Sequence, residues 1–351
     1  MLEINIYFKK RFFLIIFVCI SCFDYANRLV HKINSNVTIS TFAGQSKDSH
    51  MNSKDGAGVD ATFFGNRDLT IGKDDTIYIL EPNKIRKVTP DSRVITFVGS
   101  DLKGFSDGNS KEARFNSLGG IAVDNVGNLY VTDSGNQRIC KITSSGIVST
   151  IAGSGTAGAV DGVGIEASFD YPKAIAIGKS GIIYISDSDN KRIRKINPDG
   201  NVSTFLDENT TTSDGNKIGR IYQMTLDNSD NLYLVAEDRI SKVNKEGNIT
   251  AFYTRQSNRE KLKKHTEITI YHPFGITADN TGNIYVSNEN KIFRITPEEN
   301  VWKLIVDSTL DKSSDKEATF CFFYAITIDR NQIIYASDPL NHKIHKIVWK
   351  K

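Results

Sequence analysis

Cysteine is nearly absent from this 351-residue chain: there are four, and two of them, Cys19 and Cys22, fall in an apolar stretch near the N-terminus. The other two, Cys140 and Cys321, lie in different repeats, and two cysteines in so long a chain do not make a disulfide framework. Both are expected to be buried free thiols. No staple is needed, because a chain of this length buries roughly three quarters of its unfolded surface. Charge of one sign is missing too. Lys and Arg number 44 against 41 Asp and Glu, a net charge of +3, which gives no general expectation of a nucleic-acid partner. The apolar run Phe12–Ile20 is too short to span a bilayer comfortably.

That run follows Lys9, Lys10 and Arg11, the layout of an export signal over residues 1–23. "CISC" at 19–22 resembles a bacterial lipoprotein cleavage box with Cys22 as the acylated residue, although Cys19 stands where the box usually has leucine. A signal peptide cut a few residues later and an uncleaved anchor are the alternatives. The expected location is outside the cytoplasm, lipid-anchored in the cell envelope or secreted, and any membrane contact runs through this segment. Residues 24–35 read as a linker.

What the chain does have is a repeat. "GNLYVTDSGNQRICKI" at 127–142 returns as "GIIYISDSDNKRIRKI" at 181–196 and "QIIYASDPLNHKIHKI" at 332–347, with shorter versions at 75–88, 230–243 and 282–295. Its tyrosines, Tyr78, Tyr130, Tyr184, Tyr233, Tyr285 and Tyr335, recur about every fifty residues. Each unit alternates apolar and polar residues in four short runs separated by Gly- and Asn-rich turns, the signature of a four-stranded antiparallel meander. A meander has open edges and cannot bury both faces alone, so six of them are expected to pack radially. After "HKIHKI" only "VWKK" remains, which leaves the sixth sheet one strand short. "NVTISTFAG" at 36–44 matches the outer strands "GIVSTIAG" and "RVITFVG" and is expected to close the ring there.

The pattern "DGxGxxAxF", "PxxIA", "GNLYVTD", "NxRIxKI", "GxVxTxAG" resembles the NHL-repeat propellers, particularly exported bacterial ones. The resemblance implies an all-β fold, a six-bladed β-propeller of four-stranded antiparallel blades. The blades are expected at about 60–100, 113–154, 167–207, 220–254, 271–307 and 318–351.

Candidate functional residues follow from this frame. Asp133, Asn136 and Arg138, with Asp187, Asn190 and Arg192, lie in the turn after the second strand. Asp and Asn cap turn amides, so their first reading is structural and ligand binding is the functional alternative. Long inter-blade loops on the same side make that face the expected recognition surface. It includes the basic run Arg255, Arg259, Lys261, Lys263 and Lys264. The residues opening the innermost strands are Asp68, Gly120, Ala174, Gln223, Gly275 and Ala325. Lactonase-like propellers are similar in holding calcium at this level with several oxygen-bearing side chains, and lyases of the NHL type use histidines; here Asp68, Gln223 and His272 are the alternative metal set. The expected function is a non-enzymatic exported scaffold that binds a protein or glycan through the loop face, with no cofactor. The alternatives are a metal-dependent hydrolase or lyase at the central channel, and a structural envelope component.

Overall fold

The computed structural model describes residues 37–46, 53–237, 239–254, 270, 272–304 and 322–349. They form six antiparallel sheets arranged as a ring, with only three-residue 3₁₀ turns as helix. The innermost strands are Asp68–Ile71, Leu118–Val123, Pro172–Ile177, Gln223–Leu226, Ile276–Ala278 and Ile326–Ile328, and each packs on the next until the sixth meets the first. The chain is an all-β, six-bladed propeller.

The second strand of each blade is buried along its whole length, as in Leu129–Asp133 and Ile183–Asp187. A sheet clamped between two neighbours has no solvent face, so both side-chain sets become core, and the core is divided into slabs between successive blades. The repeated tyrosine sits in these slabs and keeps a polar handle. The hydroxyls of Tyr130, Tyr233 and Tyr285 donate to Asp124, Asp227 and Asp279 at 3.3, 3.2 and 3.0 Å, each an Asp that also shapes the turn between first and second strands.

Ring closure is carried by Val37–Gly44, which lies antiparallel to Lys343–Trp349 with Ile39 opposite Ile347 and a bulge between Thr41 and Ala43. In blades 1 and 3 a two-residue segment of the preceding loop, Gly56–Ala57 or Gly162–Val163, adds a fifth strand. The Asp beside each segment ties the loop to its blade. Asp55 accepts from Thr96 Oγ1 (3.0 Å), and Asp161 from the Thr204 amide (3.1 Å); in blade 2, Asp107 accepts from the Thr150 amide (2.8 Å). These Asp-Gly pairs therefore strap the loops down as well as turning the chain.

Candidate functional site

The loop-face mouth of the central channel is built in two tiers. The lower tier is the ring of residues aligned from sequence. In four blades the start of the inner strand is held by a hydroxyl from the second strand: Thr132, Ser186, Ser287 and Ser337 accept from the amides of Gly120, Ala174, Gly275 and Ala325 at 2.8–3.0 Å. Blades 1 and 4 carry Leu80 and Val235 near the corresponding place, and their inner strands open on Asp68 and Gln223. These two blades face each other across a six-membered ring. Gln223 Nε2 donates to Asp68 Oδ1 at 2.8 Å, a strut across the channel.

Asp68 is 5% exposed, and its carboxylate also accepts from the Leu69 amide (2.9 Å) and the Ile121 amide (3.0 Å). Burial pushes its pKa up to about 7, against the opposing pull of those amides, Gln223 and the Lys173 charge. The Gln223 carbonyl oxygen accepts from the Met224 amide at 3.0 Å. The oxygens of this pair are thus turned to N–H donors, an arrangement that does not fit a cation site. Among the described residues no group of three or more His, Cys, Asp or Glu side chains could hold a metal ion.

The upper tier lies one residue earlier in each blade: Arg67, Gly119, Lys173, Tyr222, Phe274 and Tyr324. All six line a single cavity of about 440 Å³, with Tyr171, Glu237 and His272 at its rim. Phe274 and Tyr324 pack at 5.6 Å between ring centroids, and Phe322 backs Phe274 at 5.1 Å. Lys173 Nζ lies 5.0 Å from the centre of the Tyr222 ring. Gly119 is the gap in the wall: a Cβ there would stand 2.4 Å from Ser134 Oγ and 3.1 Å from Lys173 Cα, so only glycine lets blade 3 approach this closely.

Three residues above each strand opening, the backbone is left-handed in four blades: Gly65 (φ +58°), Ser117 (+57°), Tyr171 (+51°) and His272 (+49°). Glycine takes this geometry without cost; a bulky tyrosine does not, and such strain is characteristic of functional positions. The Tyr171 hydroxyl lies 3.5 Å from Ser117 Oγ, which accepts from Arg67 Nη1 at 3.3 Å.

The turn residues sit elsewhere. Asp133 and Asp187 are completely buried. Asp133 accepts from the Asn116 amide (2.8 Å) and Asn136 Nδ2 (2.7 Å), and Asp187 from the Asp170 amide (2.7 Å) and Asn190 Nδ2 (2.8 Å). Arg138 donates to the Gly153 and Ser154 carbonyls and covers the Phe105 ring at 4.1 Å; Arg192 reaches the Ala159 carbonyl. All six fasten loops. Asp68 and Gln223 are joined on the cup's floor and His272 lies on its rim. His345 is buried against Asp338, with Nε2 at 3.1 Å from the carboxylate. Cys140 is a buried free thiol. Cys321, the basic run Arg255–Lys264 and the leader with Cys22 lie outside the described residues.

The pattern that describes the NHL repeat matches residues 115–142. Human teneurin-4 is 29% identical over 161 residues, 41% of this chain and 6% of teneurin-4. Bovine NHL repeat-containing protein 2 is 39% identical over 79 residues, 22% of this chain and 11% of that protein. The chain therefore corresponds to a small part of these relatives. Among solved structures, a Bacteroides thetaiotaomicron protein of unknown function superposes with a TM-score of 0.63 at 16% identity, covering 90% of this chain and 76% of that one. An auxiliary nutrient binding protein from Bacteroides ovatus gives 0.61 at 15% identity, over 90% of this chain and 77% of that one. A streptogramin B lyase gives 0.58 at 16% identity, over 91% and 100%. At these identities the likeness is one of fold.

Proposed function

Because the chain is an NHL-repeat six-bladed β-propeller, we propose that it is a non-enzymatic binding scaffold that receives its ligand on the inter-blade-loop face, in the cup at the channel mouth. One observation carries the reading: the wall of the cup is made by one residue from each blade, and these are aromatic or basic wherever they have a side chain. A cavity of about 440 Å³ is the size of a small-ligand site. The Asp68–Gln223 strut closes it below, so a ligand would enter and leave by the same opening. Of the two partners considered from sequence, a glycan suits a cup of this size and these aromatic walls better than a protein, which would need a broad, flat surface. The nutrient-binding propeller of the same fold is consistent with this role. The leader supports action outside the cytoplasm, with Cys22 as the acylation site; metabolic labelling with a palmitate analogue, lost on Cys22→Ala, tests the anchor.

Phe274→Ala tests the cup itself. Removing the central ring of the aromatic wall is expected to weaken glycan binding by about tenfold or more, judged by the worth of a stacked ring, on titration calorimetry against a saccharide panel. Unchanged affinity for every saccharide that binds would move the site out of the cup.

A further inference from the structure

The cup is two-sided. Arg67 on blade 1 and Lys173 on blade 3 flank Gly119 on blade 2, while Tyr222, Phe274 and Tyr324 occupy blades 4 to 6. One half is cationic and the other is a wall of rings.

The cationic half is short of counter-charge. Among the described residues neither Arg67 nor Lys173 has a carboxylate within ion-pair distance. Arg220, the third cation nearby, is paired at 3.0 Å with Asp189. The acids facing the cup are Asp68, held on the floor by Gln223 and two amides, and Glu237, exposed at the rim. Burial lowers the Lys173 pKa, the Arg220 and Arg67 charges lower it further, and the Asp68 charge on the floor opposes them. A half-buried lysine facing two other cations gains from any anion that settles beside it. Gly119, which lines the cup between them, adds no side chain of its own. The ring Ser117–Tyr171 contact and the Ser117–Arg67 hydrogen bond brace the arginine from outside. Around these lie hydroxyl, imidazole and amide partners: Tyr171, Tyr222, Tyr324, His272 and Gln223.

We propose that the cup takes a carboxylated sugar, with its carboxylate seated between Arg67 and Lys173 over Gly119 and a face of its ring against the Phe274–Tyr324 wall. The inference rests on the cup being the binding site and adds the chemistry it selects. The carboxylate answers the two cations, which have no ion-pair partner among the described residues, the apolar ring face answers the aromatics, and the sugar hydroxyls answer the polar rim. A neutral sugar satisfies two of these three. The acid can be a free monosaccharide or the end of an acidic polysaccharide.

The test is calorimetric titration of the full chain with galacturonate, digalacturonate, galactose, galactobiose and benzoate. An acidic sugar is expected to bind about tenfold or more tightly than its neutral counterpart, the worth of one charge-assisted contact. Digalacturonate binding with galacturonate silent would identify a chain end as the source, and equal binding of both would identify the free acid. Lys173→Met keeps the side chain's length without its charge and is expected to erase the preference, read as the ratio of the acidic sugar's affinity to that of its neutral counterpart. Arg67→Gln, at an exposed position where folding is not at stake, is expected to reduce it in the same direction. Equal affinity for acidic and neutral sugars, or a preference unchanged in both variants, overturns the proposal while the cup stands. Benzoate binding as tightly as the uronates overturns the sugar. If none of the probes binds, the proposal falls, and if Phe274→Ala then changes no ligand's binding in the wider saccharide panel the cup reading falls with it.

Discussion

Blades 2 and 3 share a frame, and their third strands differ at one position, which is buried: "RICKI" stands against "RIRKI". In blade 3, Arg194 is completely buried and donates to Asp187 (3.0 Å), Asp161 (2.6 Å), and the Ser168 and Val160 carbonyls (2.8 and 2.9 Å), leaving only its Nε without a partner. It also covers the Phe169 ring at 5.1 Å. One guanidinium thus fastens the incoming loop to the second strand. Arg86 does the same in blade 1 with Glu81, Asp55 and Thr62. In blade 2 the position is Cys140, whose sulfur lies 4.0 Å from Thr150 Oγ1, and among the described residues no cation forms an ion pair with either carboxylate, Asp133 or Asp107. They push the Cys140 thiol pKa upward, behind the larger effect of burial. The fold survives the exchange because Asn136 still donates to Asp133 and to the Gly104 carbonyl. What changes is the acid's surroundings: burial lifts Asp133 to about 7, and burial also raises the Asp187 carboxyl, where the Asp170 amide, Asn190 and Arg194 oppose it. The frame needs the acid and the amide, and the guanidinium adds a charge-assisted hold on that acid in blade 3.

Breaking the blade 3 bridge is the largest effect expected. Arg194→Ala leaves Asp187 buried without its cation and two carbonyls without donors, a loss of about 3–5 kcal/mol in urea unfolding. The matching change in blade 2, Asp133→Asn, should be far milder and should depend on pH. A carboxyl whose folded pKa is raised stabilises below its ordinary range, and that contribution is lost as pH rises toward 7. The variant is therefore expected to cost about 1 kcal/mol at pH 5 and less at pH 8. Asp161→Asn, whose carboxyl is held below the ordinary range by the Thr204 and Arg194 bonds despite partial burial, should show no such difference over the same interval. An equal cost at pH 5 and pH 8 for Asp133→Asn would mean that the acid is ionised throughout. The smallest effect is expected at the differing residue itself. Blade 4 carries Ser241 at the equivalent place, so Cys140→Ser should shift stability by about 1 kcal/mol or less, read as the midpoint of thermal unfolding.

The repeat, the ring and its closing strand are legible in the sequence because they rest on period, alternation and a missing strand, all local or countable properties. The cup is legible only halfway. Aligning strand openings finds Asp68 and Gln223, but their hydrogen bond joins positions 155 apart in sequence, and no pattern within either repeat announces it. The wall escapes because it lies one residue upstream, where the residue type changes from each blade to the next and no period appears. Shifting the same alignment back by one position would have brought out two cations facing three aromatics. The acids of the "TD" and "SD" turns were visible as a motif; that they are buried fasteners follows from the sheets packing on both faces, which is a tertiary fact.

The pairing of Val37–Gly44 with Lys343–Trp349 also has a meaning in time. The two strands are separated by roughly three hundred residues, which takes about 15–60 seconds to synthesise at ordinary rates. Throughout that interval the early strand has no partner, and the sixth sheet cannot be completed until Lys343–Trp349 has been made. The propeller is therefore assembled without a latch and secured in a single late event, whose long sequence separation makes it a slow one.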